Sequence, residues 1–112
     1  MVGLNKQKDM NTIYKYEIDS ISNLVGNNQV KYDIEMPHYS KILSAKIQNG
    51  KVCIWVKTDP TYELETRSVF VIGTGWPMID VMFATRTNID DDIEFIDTVV
   101  LADGQFVYHI FG

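Results

Sequence analysis

Three groups of residues in this sequence are of types that could do chemistry. Residues 70–78, FVIGTGWPM, set Gly73-Thr74-Gly75 after an apolar run, where a phosphate-cradling loop would sit. Cys53 and His109 have the types of a nucleophile and its base. Asp90, Asp91, Asp92 and Glu94 offer a dense run of oxygen ligands suited to a divalent cation. A fourth set is aromatic: Tyr14, Tyr16, Tyr32, Trp55, Trp76, Phe106 and Tyr108 could stack bases.

Spacing removes most of this chemistry. A dinucleotide loop needs a third glycine and a following helix, and a P-loop needs Gly-Lys-Ser or Gly-Lys-Thr. Trp76 and Pro77 stand there instead, so GTG is expected to be a bend with Trp76-Pro77 packed over it. No third orienting group accompanies Cys53 and His109, and His109 is expected as a hydrogen-bonded core histidine with Thr98 opposite. Two histidines and one cysteine are too few for a closed zinc site. The sixth residue from Asp90 is Phe95 where an EF-hand loop needs glycine, so the acidic run reads as a solvated loop. Basic residues are not interleaved with the aromatics in the pattern of a single-strand groove, and Arg67 and Arg86 are the only arginines. Core packing and protein contacts explain the aromatics more simply. The expectation is a protein that is not an enzyme, with no cofactor and no metal site. Its candidate interface or binding residues are Trp55, Trp76, Tyr108, His109 and Phe111.

The elements that must position these residues follow from a period of two. Residues 12–18, TIYKYEI, put Tyr14, Tyr16 and Ile18 on one side and Lys15 and Glu17 on the other. Residues 30–36 alternate Val30, Tyr32, Ile34 and Met36 with Lys31, Asp33 and Glu35, and Pro37 ends the run. Between them, the Asn- and Ser-rich residues 20–29 read as a loop. Asn49-Gly50 signals a two-residue hairpin turn. Counted from that tip, Ile47 faces Val52, Ala45 faces Ile54 and Leu43 faces Val56 on one side. Lys46 meets Cys53, Ser44 meets Trp55 and Ile42 meets Lys57 on the other. Asp103-Gly104 repeats the signal and sets Leu101 against Phe106, Val99 against Tyr108, Thr98 against His109 and Ile96 against Phe111. Both faces of that second hairpin are largely apolar, which points to strands covered on two sides or to a subunit interface.

A further strand spans 66–73, and Asp59-Pro60 begins a turn before it. In residues 74–91, PMIDVMFAT (77–85) suits either a short helix or an extra strand; NIDDDIE (88–94), which follows, reads as an exposed loop. The sum is all-β, six or seven short antiparallel strands, in a small bent barrel or roll of the SH3 or Sm-like kind; a β-sandwich is the alternative.

Length and composition set the outer bounds. The 112 residues suit a single all-β domain over 10–112, with residues 1–9 expected as a flexible tail. A 46% hydrophobic content suffices for a core without staples. A lone cysteine carries no mark of an oxidising compartment, and no run approaches a membrane span or a signal-peptide core. The expected location is cytoplasmic. Ten basic against 15 acidic residues, net −5, argue against indiscriminate nucleic-acid binding without excluding a local basic patch.

Taken in order, TIYKYEI, MPHYSKILSAKIQNGKVCIWVKTDP, ETRSVFVIGTG and FIDTVVLADGQFVYHIF resemble a family of small uncharacterised proteins encoded by phages and prophages, a domain of unknown function. The marks are the Lys-Tyr strand, the Pro…Ile-Leu-Ser strand, the Gly-Thr-Gly turn and the closing Val-aromatic-His-x-Phe. Members more often carry a histidine before the proline, where Trp76 stands in this chain. The resemblance implies a phage setting, in the host cytoplasm or on the virion, and no catalytic residues. The first functional expectation is therefore an accessory protein working through protein contacts, itself included as a homo-oligomer, with a host or phage protein as the other class of partner. The alternative is a binder of a small ligand or single-stranded nucleic acid with Trp55, Tyr14 or Trp76 as a stacking platform.

Overall fold

The computed structural model describes residues 10–27, 29–76, 93–101 and 104–112. In chain order these form β1 (Thr12–Ser20), α1 (Ile21–Asn27), β2 (Lys31–Pro37), β3 (Lys41–Gln48), β4 (Lys51–Thr58), β5 (Leu64–Gly73), β6 (Phe95–Leu101) and β7 (Phe106–Phe111). All pairing is antiparallel, in a sheet of order β1-β4-β3 and a sheet of order β2-β5-β7-β6. The all-β expectation holds. The barrel does not close: among the described residues no ladder joins the two sheets.

The reason lies where β3 runs beside β6. A closed barrel needs backbone hydrogen bonds at every seam. This seam is bridged by one side chain instead: Asp97 Oδ2 accepts from the Ala45 N–H at 3.1 Å and from Lys46 Nζ at 2.9 Å. Asp97 reaches across because Ile96 bulges out of β6, and a bulge re-aims the residues beside it.

Between the sheets lies one core. Val52, Ile54 and Val56 of β4, with Ala45 of β3, meet Tyr32, Met36, Val69, Val71, Val99, Tyr108 and Ile110 of the facing sheet. These are the alternate residues of each strand, as a pleated chain with one covered face demands.

The Asn49-Gly50 hairpin forms as expected, with φ of 52° and 73° at its tip and Ile47 opposite Val52. Its far end differs. Leu43 is the extra residue of a bulge, so Ile42 rather than Leu43 faces Val56, and Lys41 rather than Ile42 faces Lys57. Leu43 is left exposed. The 96–111 hairpin departs in the same way: Leu101 to Thr98 pair as expected, then the bulge at Ile96 brings Phe95, not Ile96, opposite Phe111. Asp103 lies outside the described residues, as does most of 74–91.

Residues 21–27 are the helix α1, where a loop was expected. The Ser20 hydroxyl caps it by accepting from the Asn23 N–H at 3.2 Å. Its one core residue, Leu24, is fully buried, and the Ile21 N–H donates to Gly50 O at 2.9 Å. Tyr32 fixes the start of the helix to β2 by donating to Asp19 Oδ2 at 3.2 Å. Burial, and then the Asp19 charge, push the Tyr32 phenol well above its ordinary range, so it stays a donor.

Candidate functional site

The GTG stretch is a bend. The Trp76 N–H returns to Gly73 O at 3.0 Å, and Gly75, with φ 88°, sits at the turn position that requires a positive value. The indole of Trp76 lies flat on Gly73, where a Cβ would come within 2.6 Å of Trp76 Cε2. It meets the Tyr108 ring edge-on at 5.7 Å. The N–H groups of Thr74 and Trp76 are both taken, by Val107 O and Gly73 O at 3.0 Å, and so are not presented to a phosphate. Trp76 and Tyr108 line a cleft of about 470 Å³ with Val25, Thr74 and Phe106. Gly73→Ala is expected to lift the indole off the strand. In a Trp55→Phe background that isolates Trp76, its emission should shift to the red, and an unshifted spectrum would contradict the packing.

His109 stands between two threonines. Its Nε2 lies 2.8 Å from Thr74 Oγ1 and its Nδ1 lies 3.0 Å from Thr98 Oγ1. Thr98 is its cross-strand partner, as the hairpin register dictates. Both ring nitrogens are thereby engaged, and among the described residues no carboxylate orients the ring. Cys53 and His109 cannot pair: Cys53 alternates with the core residues Val52 and Ile54, and His109 with Tyr108 and Ile110, so each lies on the outer face of a different sheet. Burial pushes the Cys53 thiol up, away from the thiolate form. Among the described residues no group of three or more His, Cys, Asp or Glu could hold a metal ion. Asp90, Asp91 and Asp92 lie outside them.

Phe111 crosses edge-on to Phe95 at 5.7 Å and packs with Val30, Trp76 and Ile93 over Phe70 and Ile72. Phe70 is 2% exposed within the single chain. The outer face of the 96–111 hairpin itself is covered only in part: Val100 is 56% exposed, and Val107 and Phe111 are half-buried.

Trp55 is apart from this group, on the outer face of the β1-β4-β3 sheet. Its cross-strand neighbours are Lys15 and Ser44. Alternation places Lys41, Lys46, Lys51 and Lys57 on the same face, which therefore carries half of the ten cationic residues of an acidic chain. Three are engaged: Lys15 with Gln48 Oε1 at 2.8 Å, Lys46 with Asp97, and Lys51 with Glu17 at 2.7 Å. The Lys51 hydrogen bond holds the Glu17 carboxyl below its ordinary range, and Lys51 is raised in return. Lys41 and Lys57, directly opposite each other, have no hydrogen-bond or carboxylate partner among the described residues.

Those two lysines border a second cleft, of about 410 Å³, together with Asn11, Tyr39, Asp59 and Tyr62. Sequence reasoning missed it. Tyr39 and Tyr62 lie in short turns where period-two patterning says nothing, and the Leu43 bulge hid the lysine pair.

The model of a family described as a domain of unknown function, DUF7352, matches residues 10–112. The chain belongs to this family. No curated protein and no solved structure matches it. Membership in DUF7352 covers every site described above, from β1 to Phe111, and assigns a role to none of them.

Proposed function

We propose that this DUF7352 chain is a non-enzymatic module that works through protein contacts, and that its copies associate through the free edge of β1. The observation that supports this is the edge itself. Among the described residues β1 pairs only with β4, and its other side presents unpaired backbone groups. A long strand edge of this kind is a template for a further strand. Ile13 is 54% exposed on it, with Met10 and Tyr14 also exposed. The bulge at Ile18 bends the strand and confines the pairing segment to Thr12–Glu17. An antiparallel contact between two such segments is self-complementary, as a two-fold dimer requires.

The host or phage partner, and the place in the host cytoplasm or on the virion, belong to the same proposal and rest on the family resemblance of the sequence. Light scattering should give the mass of a dimer, and Ile13→Asp with Tyr14→Asp should return it to the monomer. A wild-type mass of one chain at the same concentration ends the self-association reading. Pull-down of the tagged chain from infected host cells, with mass spectrometry, tests the partner.

A further inference from the structure

We propose that the cleft between Tyr39, Lys41, Lys57 and Tyr62 is a binding site for a nucleoside phosphate, with the base on the tyrosine rings and the phosphate at the lysine pair. This is independent of the β1 edge. Two local rules are broken at this one place, and nothing within the described fold compensates for either.

The first is backbone strain. Tyr39 has φ 63°, in the left-handed region where a bulky residue is an outlier. It occupies the third position of a turn closed by the Ser40 N–H on Pro37 O at 3.3 Å. Glycine or asparagine suits that position, and a strained residue there persists only when its surroundings hold it. They do. The Ser40 hydroxyl lies 2.6 Å from Pro37 O and 2.7 Å from Thr58 Oγ1, Arg67 donates to Ser40 O at 2.8 Å, and the His38 N–H donates to Glu63 O at 2.8 Å. What this anchoring presents is a ring 81% exposed to water. The ring touches its neighbours His38 and Tyr62 and takes no part in the core, so the fold gains little for the strain.

The second is charge. Like charges directly opposite on adjacent strands destabilise a sheet. Lys41 and Lys57 are so placed and stay unpaired among the described residues, while the other three lysines of that face are engaged. Two adjacent ammonium groups favour a phosphate, whose charge and acceptor oxygens satisfy both.

The rings complete the site. Tyr39 meets Tyr62 at 5.3 Å and 76° and His38 at 5.2 Å and 49°, while both tyrosines keep ring surface exposed to water. Tyr62 is held by its own turn, in which Asp59 Oδ1 accepts from the Thr61 N–H at 2.9 Å and from its hydroxyl at 2.6 Å. That carboxylate lines the cleft as well, and the two lysines outnumber it by one charge. A volume near 410 Å³ suits a small ligand. The ligand's source is either a free mononucleotide or one nucleotide of a single strand, since Trp55 and Lys15 continue the same face two residues along β4.

The test is an amide-resolved NMR titration of the full chain with adenosine 5′-monophosphate. Signals of Tyr39, Lys41, Lys57 and Tyr62 should move together, with Kd on the order of 1 mM. Adenosine alone and ribose 5-phosphate alone should each bind roughly tenfold more weakly. Tyr39→Gly, which suits the positive φ and leaves the turn intact, should stay folded and lose the base contribution. Lys41→Gln with Lys57→Gln should reduce the mononucleotide to the affinity of adenosine. Octathymidylate binding more tightly, with quenching of Trp55, assigns the source as single-stranded nucleic acid; equal affinity assigns the free nucleotide. No movement of these signals, ribose 5-phosphate binding as tightly as the nucleotide, or unchanged binding by Tyr39→Gly would each overturn the site.

Discussion

Replacing Ile54 by alanine is expected to cost about 2–5 kcal/mol of stability, a large share of what a domain of this size has. Ile54 sits at the centre of the middle strand of its sheet, between Tyr16 and Ala45, and is fully buried against the facing sheet. The two sheets meet on such side chains and, among the described residues, share no ladder, so little can move in to fill the hole. The midpoint of thermal unfolding should fall by roughly 10–20 °C. Val100→Ala, on an exposed position of β6, should change stability by less than about 0.5 kcal/mol. Equal losses in the two variants would mean that the core does not lie between the sheets.

Asp97→Ala should come next, at roughly 2–4 kcal/mol, because it strands a buried donor. The Ala45 N–H is fully enclosed and has the Asp97 carboxylate as its acceptor; Lys46 and the Thr98 N–H, the latter 2.9 Å from Oδ1, complete its shell. Asp97→Asn keeps an acceptor for Ala45 and should lose about half as much. The pH dependence has a definite sign. Burial alone would push the Asp97 carboxyl up, but the hydrogen bonds from Lys46, Ala45 and Thr98 outweigh it and hold the group below the usual carboxylate range. A carboxylate with a depressed folded value contributes stability above the unfolded value, near ~3.9, and that contribution is lost as pH falls through the folded value. Wild type should therefore lose more stability than Asp97→Asn between about pH 4 and pH 2. Denaturant midpoints measured across that range read the difference directly. Parallel curves would show that the charge at the seam contributes nothing.

Much of the fold was legible because two turns fix registers. From Asn49-Gly50 outward, every pair to Ser44–Trp55 is the one that counting gives. Counting from Asp103-Gly104 is correct as far as Asp97–Ile110. It fails at the bulges, and for a common reason. Ile42-Leu43 and Phe95-Ile96 are each two adjacent apolar residues, so either register keeps something apolar toward the core and the pattern cannot choose. The helix α1 escaped because among its described side chains only Leu24 is fully buried, which leaves no period to read. Barrel closure depended on whether β3 and β6 share a ladder, and a side chain answering a backbone donor leaves no trace in hydrophobic alternation.

The candidate residues divide in the same way. The Gly73 bend under Trp76 and the Thr98–His109 pairing were readable from chain order. Trp55 was chosen as an aromatic, but its lysine surroundings come from three different strands and so do not appear as a motif. Tyr39 was invisible: nothing in the letters Pro-His-Tyr-Ser announces that a tyrosine will take a glycine's conformation.

The extra residue at Leu43 has an effect that no substitution at the cleft reproduces. Lys41 meets Lys57 because the bulge takes up the extra residue of β3, so the alignment of charge at that sheet end depends on where the backbone absorbs Leu43. The same sequence paired without the bulge would set Ile42 against Lys57 and move Lys41 out of step with it.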